Sequence, residues 1–358
     1  MTSFEAYRLA DNFRAAGAKV VMGGPHVTCL ADEALQHAYS VVVGEAESVW
    51  SDVLNDYESG NLKKIYAGEP LDDYFSPVFD YFMKLDPRIF LSTGLQVSRG
   101  CKYRCDFCGR PEQKLRFVKV DQAVALIEKT KNAAARQLTV RPTIFFKDNN
   151  IFSSPPYAKE LFSRMIPLKI RWEANASLDI AFDDEALRLA KESGCRSLYI
   201  GLETIHPQDF PKTALYDTTS VLYYLRLIIK IKSYGIKVWG AFILGFDNYT
   251  HRDYWGLLRF LMRSGLWFAP LSILVPFPGT PLFERLKKEN RILTYDWRKY
   301  YPLFNVVFKP KNMSPLSLKL WFLVIRIVSF FFSPLLISAW LIIILAFLAG
   351  YLLSHLTN

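Results

Sequence analysis

Apolar positions along residues 1–70 switch back and forth between a helical and a strand-like period. Ser3 to Ala16 sets Phe4, Tyr7, Leu9, Ala10 and Phe13 on roughly one helical face, and Gly17 stops it. Lys19 to Met22 reads as a buried strand closed by Gly23-Gly24-Pro25-His26. Ala31 to His37 predicts a short helix, Ser40 to Val43 a second strand, Glu45 to Tyr57 a helix ending near Gly60, and Leu62 to Tyr66 a third strand. Strands separated by helices argue for a parallel, doubly wound sheet. The stretch opens on a helix with no strand ahead of it, so the expectation is the back half of a doubly wound, Rossmann-like α/β domain over residues 1–70.

Glu69 to Gly94 breaks the rhythm with Pro70, Pro77 and Pro87, and residues 71–94 read as a linker. Its aromatics, Tyr74, Phe75 and Tyr81, either pack between domains or cover the mouth of the second one. The strand-then-helix order then resumes over residues 95–290. Strands are expected at Leu95–Ser98, Pro142–Lys147, Ile170–Ala174, Ser197–Gly201, Lys237–Leu244 and Leu271–Val275. Helices are expected at Val120–Asn132, Ala158–Met165, Asp184–Ser193, Thr219–Tyr234 and Asp253–Ser264. Parallel α/β barrels place their chemistry on loops at the C-terminal ends of strands.

After an extension over residues 291–326 the pattern changes again. Ile327 to Ser354 carries no charged residue, and Leu335 to Leu353, after Pro334, is a window long enough to span a membrane. Lys309, Lys311, Lys319 and Arg326 precede it and only His355 follows, which keeps the preceding domain on the cytoplasmic face of the membrane. Trp340 and Tyr351 suit the two interfaces. The alternative is a buried helix pair or a helix lying on the membrane surface, since Ser329, Ser333 and Ser338 dilute the start.

Composition narrows the class. Of 358 residues, 51% are hydrophobic and 22% charged, which excludes a disordered chain. The net charge of +10 is dispersed, so it fits a membrane surface or an anionic substrate as well as nucleic acid, which is not expected as a partner. Met1 to Ala16 has no apolar signal-peptide core. Only 5 cysteines are present, and three cluster, which suits a reducing compartment.

Those three are Cys101, Cys105 and Cys108, in Leu95-Gln-Val-Ser-Arg-Gly-Cys-Lys-Tyr-Arg-Cys-Asp-Phe-Cys108, with Gly100 making the turn. Three thiolates on one loop can hold three irons of a [4Fe-4S] cube and leave the fourth open. Zinc would want a fourth ligand, yet Cys29 and Cys195 are single and His206 and His251 stand apart. Three clustered cysteines cannot all pair as disulfides.

The C-x3-C-x-aromatic-C spacing, with Phe107 as the aromatic, resembles the signature of the radical S-adenosylmethionine (SAM) superfamily. That resemblance implies a partial (β/α)6 barrel. It also implies that the open iron chelates SAM and that one-electron cleavage of SAM yields a 5′-deoxyadenosyl radical, with the protein positioning the cofactor and excluding water. Lys147-Asp148-Asn149-Asn150 stands where the family commonly has D-D-N, which puts Asp148 and Asn150 by SAM's ammonium. Trp172 to Asp179 resembles the family's third-strand stretch, with Ser177 a SAM contact. Gly201-Leu202-Glu203-Thr204 resembles G-[IL]-E-[ST], with Glu203 accepting from ribose hydroxyls. Gly240 and Gly245 end the fifth strand, where the family's backbone lies by adenine. Pro278-Gly279-Thr280-Pro281 resembles the family's turn after the sixth strand. The competing readings are an Asx turn at Asp148, a helix cap at Asp179 and an ordinary turn at Pro278.

Gly23-Gly24-Pro25-His26 and Val43-Gly44-Glu45-Ala46-Glu47 resemble landmarks of the cobalamin-binding domain that precedes many radical SAM domains. The D-x-H-x-x-G loop that supplies the cobalt ligand does not occur in this sequence, and His26 lies in a different loop as a turn residue. Tight cobalamin binding by this chain as written is therefore not expected. The reading is a radical SAM enzyme acting on a small or lipid-like molecule, methylating or rearranging it, with a reductant such as ferredoxin or flavodoxin. The alternatives are a catalytically incomplete membrane-tethered iron–sulfur protein and a zinc-binding nucleic-acid module.

Overall fold

The computed structural model describes residues 3–72, 92–109, 114–135, 143–206, 222–303 and 305–331. In chain order it contains α1 (Ser3–Ala15), β1 (Val21–Met22), α2 (Pro25–Cys29), α3 (Ala31–His37), β2 (Ser40–Gly44), α4 (Trp50–Glu58) and β3 (Ile65–Gly68). Then follow β4 (Ser92–Leu95), β5 (Ser98–Arg99), β6 (Arg116–Phe117), α5 (Val120–Ala135), β7 (Thr143–Phe146), α6 (Pro155–Met165), β8 (Arg171–Ala176), α7 (Asp184–Glu192) and β9 (Cys195–Glu203). The last are α8 (Leu222–Ser233), β10 (Lys237–Leu244), α9 (His251–Ser264), β11 (Leu271–Ile273), α10 (Pro281–Lys288) and α11 (Pro315–Phe331).

These elements form two compact units. One comprises Met1–Val78, Arg99–Val118 and Leu274–Lys309; the other Phe79–Ser98, Lys119–Ile273 and Pro310–Asn358. The first holds the three-stranded parallel sheet β1-β2-β3. Val41, Ala34, Val27 and Tyr7 are buried on one side of that sheet, and Val42, Val53 and Tyr66 form a second cluster. Three parallel strands separated by helices are thus present, with the addition of α2, in a unit that also takes in residues 99–118 and 274–309. Pro25 opens that helix, where a missing N–H costs nothing, so the Gly-Gly-Pro-His turn is also a helix start.

The second unit holds a six-stranded sheet in the order β11-β10-β9-β8-β7-β4. Every pairing is parallel, as the sequence pattern requires. Alternating burial along β10, with Val238, Gly240, Phe242 and Leu244 buried and the residues between them half-exposed, is the period of a strand packed more closely on one face than on the other. Helix starts are fixed by capping: Asp183 accepts from the Ala186 N–H at 2.9 Å, and Thr250 with Asp253 forms a capping box on α9. The first strand ends at Leu95 rather than running to Ser98, because Ser98–Arg99 pairs with β6 instead.

Residues 73–91, which carry most of the expected linker with Tyr74, Phe75 and Tyr81, lie outside the described residues, as do 332–358, which carry most of the expected anchor. Among the described residues no helix is long and apolar enough to cross a membrane.

Candidate cofactor site

The cysteine loop belongs to the first unit, and its own residues explain how it is held. Gly100 has φ of 86°, a conformation that disfavours any side chain, and so turns the chain out of β5. The Cys108 N–H donates to the Cys105 carbonyl at 3.1 Å. Cys101 and Cys105 are half-buried, Cys108 is exposed, and none is in a disulfide.

Ion pairs grip both ends of this loop. The Glu45 carboxylate accepts from Arg99 Nη1 at 3.0 Å and from Arg116 Nη1 at 3.1 Å, and also pairs with Arg116 Nη2. Arg99 Nη2 reaches Glu47 at 2.6 Å, and Arg116 also donates to the Leu71 carbonyl. Glu45 and Arg116 are buried. Burial pushes Glu47 up, but the Arg99 guanidinium outweighs that and holds its carboxyl below the ordinary range. On another side, the Leu282 N–H donates to the Asp106 carbonyl at 3.0 Å, at the start of α10. Sequence reasoning missed this frame, because its partners lie 54 and 71 residues apart.

Within the second unit, polar groups gather at the C-terminal ends of β7 and β8. Asp148 is completely buried. It accepts from the Val97 N–H at 3.2 Å and from Ser98 Oγ at 2.5 Å, so it fixes the chain between β4 and β5. Burial pushes its carboxyl up to about 6, with the Ser98 and Val97 bonds pulling the other way. Asn150 and Ser177, each expected from the sequence to contact SAM, contact one another: Asn150 Nδ2 donates to Ser177 Oγ at 2.8 Å, and the Ser177 N–H returns to Asn150 Oδ1 at 3.2 Å. Ser177 Oγ continues to Asp179, and Asn175 donates to the Asp148 carbonyl at 2.9 Å.

At the end of β9, Glu203 has φ of 62°, beside a register shift between β9 and β10. A non-glycine residue held there stores strain, of the kind that clusters at active sites and ligand clamps. The residues after it are fastened to β10's outgoing loop. Tyr249 Oη lies 3.1 Å from Thr204 Oγ1 and accepts from the Ile205 N–H at 2.9 Å, and His206 Nε2 lies 3.1 Å from Asp253. His206 is thus engaged by a carboxylate, and His251 Nδ1 accepts from Trp321 Nε1 at 2.7 Å. Gly245, just past β10, has φ of 108°. Gly240 is taken up by packing: a Cβ there would come within 2.7 Å of Leu266 and 2.9 Å of Leu202.

The remaining candidates sort cleanly. Cys195 is fully buried, and burial raises its thiol well above the ordinary value, as it also raises that of Cys29. His26 is half-buried and lies 3.2 Å from Glu33 Oε1, while Trp297 Nε1 donates to Glu33 Oε2 at 2.9 Å. Its partner is a side-chain carboxylate rather than the turn's backbone.

Among the described residues, no three His, Cys, Asp or Glu side chains are gathered as a ready-made metal site. The donor set nevertheless fits an iron–sulfur cluster: three soft thiols, none in a disulfide, on one loop fixed at both ends.

A sequential parallel sheet with a trithiol loop after its first strand defines an α/β enzyme built around a bound cofactor. Residues 95–261 match the radical SAM superfamily. The chain is 32% identical over 318 residues to the bacteriochlorophyllide d C-12(1)-methyltransferase of Chlorobaculum tepidum, across 86% of this chain and 68% of that protein. It is 26% identical over 327 residues to the C-8(2)-methyltransferase of the same organism, across 87% and 71%. The fold is shared with TsrM, a radical SAM methyltransferase from Kitasatospora setae solved with cobalamin and a [4Fe-4S] cluster bound. The TM-score is 0.64 at 17% identity, over 89% of this chain and 69% of that one. The chain belongs to the radical SAM superfamily, and it is an enzyme whose family uses a [4Fe-4S] cluster and SAM.

Proposed function

We propose that this chain methylates a carbon atom of an apolar, ring-bearing small molecule presented at a membrane. The observation that carries the reading is the trithiol loop after the first strand of a sequential parallel sheet, in a chain related to two methyltransferases named for bacteriochlorophyllide d. Cys101, Cys105 and Cys108 hold the cluster, and Phe107 lies within their loop. When bound, the cluster and SAM supply the one-electron chemistry, with ferredoxin or flavodoxin as reductant. Glu203 accepts from SAM's ribose, Asn150 and Ser177 face its methionine end, and Gly245 lets backbone approach the adenine. Asp148 and Gly240 act at one remove, by holding β4 and packing β10.

The uncharged run from Ile327 to Ser354 supports the membrane part of the proposal, with the enzyme on the cytoplasmic face. Tight cobalamin binding is not part of it, because His26, the histidine of the Gly-Gly-Pro turn, is engaged by Glu33. Titrating hydroxocobalamin into the purified chain tests this; stoichiometric co-elution on gel filtration would reverse it.

The main test is anaerobic reconstitution with iron and sulfide, then SAM, dithionite and bacteriochlorophyllide d as probe. The expected products are 5′-deoxyadenosine and methionine from one SAM, cleaved by the electron from dithionite and taking the substrate hydrogen, together with S-adenosylhomocysteine from a second SAM, which gives its methyl group to the ring system. A loaded protein that leaves SAM intact would favour an incomplete iron–sulfur protein instead.

A further inference from the structure

Within the second unit, α11 has apolar residues on both of its sides. Leu318, Phe322, Ile325 and Ser329 are buried at helical spacing and seat it. The opposite side exposes Leu316, Leu320, Leu323, Val324, Ile327 and Phe331. The first and last of these are exposed by 66% and 65%, so this is an open stripe rather than a partly covered one. It continues onto α9. The rings of Trp321 and Trp255 meet edge-on at 5.3 Å, and Trp255 and Met262 are exposed on α9. A contiguous apolar surface of this extent marks an interaction site.

Its charges choose the partner. The same two helices expose Arg252, Arg259, Arg263, Lys319 and Arg326. Arg252, Trp255, Arg259, Met262 and Arg263 share one side of α9 by helical spacing. The one carboxylate on either helix, Asp253, is bound to Thr250 and His206. Two copies meeting through this face would set basic residues against basic residues. An acidic bilayer offers the opposite charge and accepts tryptophan and aliphatic side chains at its interface.

We propose that the α9–α11 face is a docking surface for an acidic phospholipid bilayer. It rests on the membrane reading above, since the uncharged run begins at Ile327 within α11 itself. It adds a geometry to that reading. Asn312 donates to the carbonyls of Asp247 at 2.8 Å and Tyr249 at 3.3 Å, and Lys311 lies 3.7 Å from Asp247. The chain entering α11 is thus tied to the loop leaving the C-terminal end of β10. The docked face begins beside the rim where the sheet ends, so an apolar substrate passes from lipid to that rim with little travel through water.

The test uses the full chain with benzoylphenylalanine in place of Leu320 or Val324, and in place of Ile229 on α8 as a control. It is reconstituted with vesicles of phosphatidylcholine alone or with phosphatidylglycerol. The expected result is phospholipid adducts at Leu320 and Val324 but not at Ile229, several-fold stronger on the acidic vesicles. Combined Arg259→Glu and Arg263→Glu substitution should lower them on the order of tenfold. Vesicle-bound protein with no lipid adduct overturns the docking face but leaves the anchor standing. Adducts of doubled protein mass identify a second copy as the occupant, and adducts to residues 332–358 identify the chain's own tail; either overturns the proposal. Failure to co-sediment with either vesicle overturns both the face and the anchor.

Discussion

Two buried carboxylates fix the chain on either side of the turn that opens the cysteine loop, and they do it by opposite electrostatics. Asp148 faces neutral donors, the Val97 N–H and the Ser98 hydroxyl, and burial leaves its acid form favoured up to about pH 6. Glu45 faces two guanidinium groups, Arg99 and Arg116. The difference follows from what each must hold. Asp148 lies just past β7, whose neighbour is β4, so the sheet already brings it to Val97. Among the described residues, the loop between Arg99 and Arg116 has the short β5–β6 pairing by way of a ladder, and charge grips its two ends. Neutral hydrogen bonds suffice where the backbone aligns the partners, and ion pairs serve where it does not.

The largest expected effect separates the loop's frame from its cargo. Replacing Cys101, Cys105 and Cys108 together by Ala should remove all cluster iron and sulfide while leaving the apo-protein's unfolding curve in place. Iron retained at full stoichiometry would mean that the ligands lie elsewhere. Next, Glu45→Ala leaves Arg116 buried without its carboxylate, so chemical denaturation of the apo-protein should show a loss of about 3–5 kcal/mol. A loss below about 1 kcal/mol would reduce this pair to the rank of a surface salt bridge.

Asp148→Asn should do the reverse at neutral pH. Because the folded value is raised from 3.8 to about 6, this group's contribution is complete below about pH 3.8 and is lost as pH rises through about 6. The variant should erase that fall, gaining on the order of 2–3 kcal/mol at pH 7. Stability profiles of the two proteins that run parallel from pH 4 to 7 would contradict the assignment. The smallest effect concerns strain. Glu203→Gly relieves the positive φ, so the melting temperature should rise by an amount worth roughly 1 kcal/mol, while SAM binding weakens about tenfold. Unchanged SAM affinity would take Glu203 out of the site.

Much of this molecule was legible in its chain. Each expected strand of the six lies within a few residues of its observed place, because alternating or continuous apolar runs bounded by Gly and Pro leave little choice. Asn150 and Ser177 were picked out singly, but the bond between them shows only in the structure, where adjacent parallel strands carry their C-terminal ends side by side. The partners of His206 and His251 were not legible either, because Asp253 and Trp321 come from other elements at long separation. Gly240 shows a subtler limit: its place in the stretch ending the fifth strand suggested a ligand, but not that a Cβ there would also crowd Leu266 and Leu202. A motif places a glycine in sequence, but only the packed neighbours reveal what its missing side chain makes room for.

The interleaving of the two units has a consequence for the order of folding. In the larger sheet each strand pairs with the one made just before it, so the sheet can grow by local additions as the chain is synthesised. The unit carrying the thiols is assembled from three separated stretches, the last being Leu274–Lys309. The grip of Glu45 on Arg99 becomes possible early, but the bond from Leu282 to Asp106 must wait for most of the chain, and that from Trp297 to Glu33 closes a span of 264 residues. The loop therefore gains its last support late in synthesis, which defers a settled binding site for a fragile metal cluster until the larger sheet has been made.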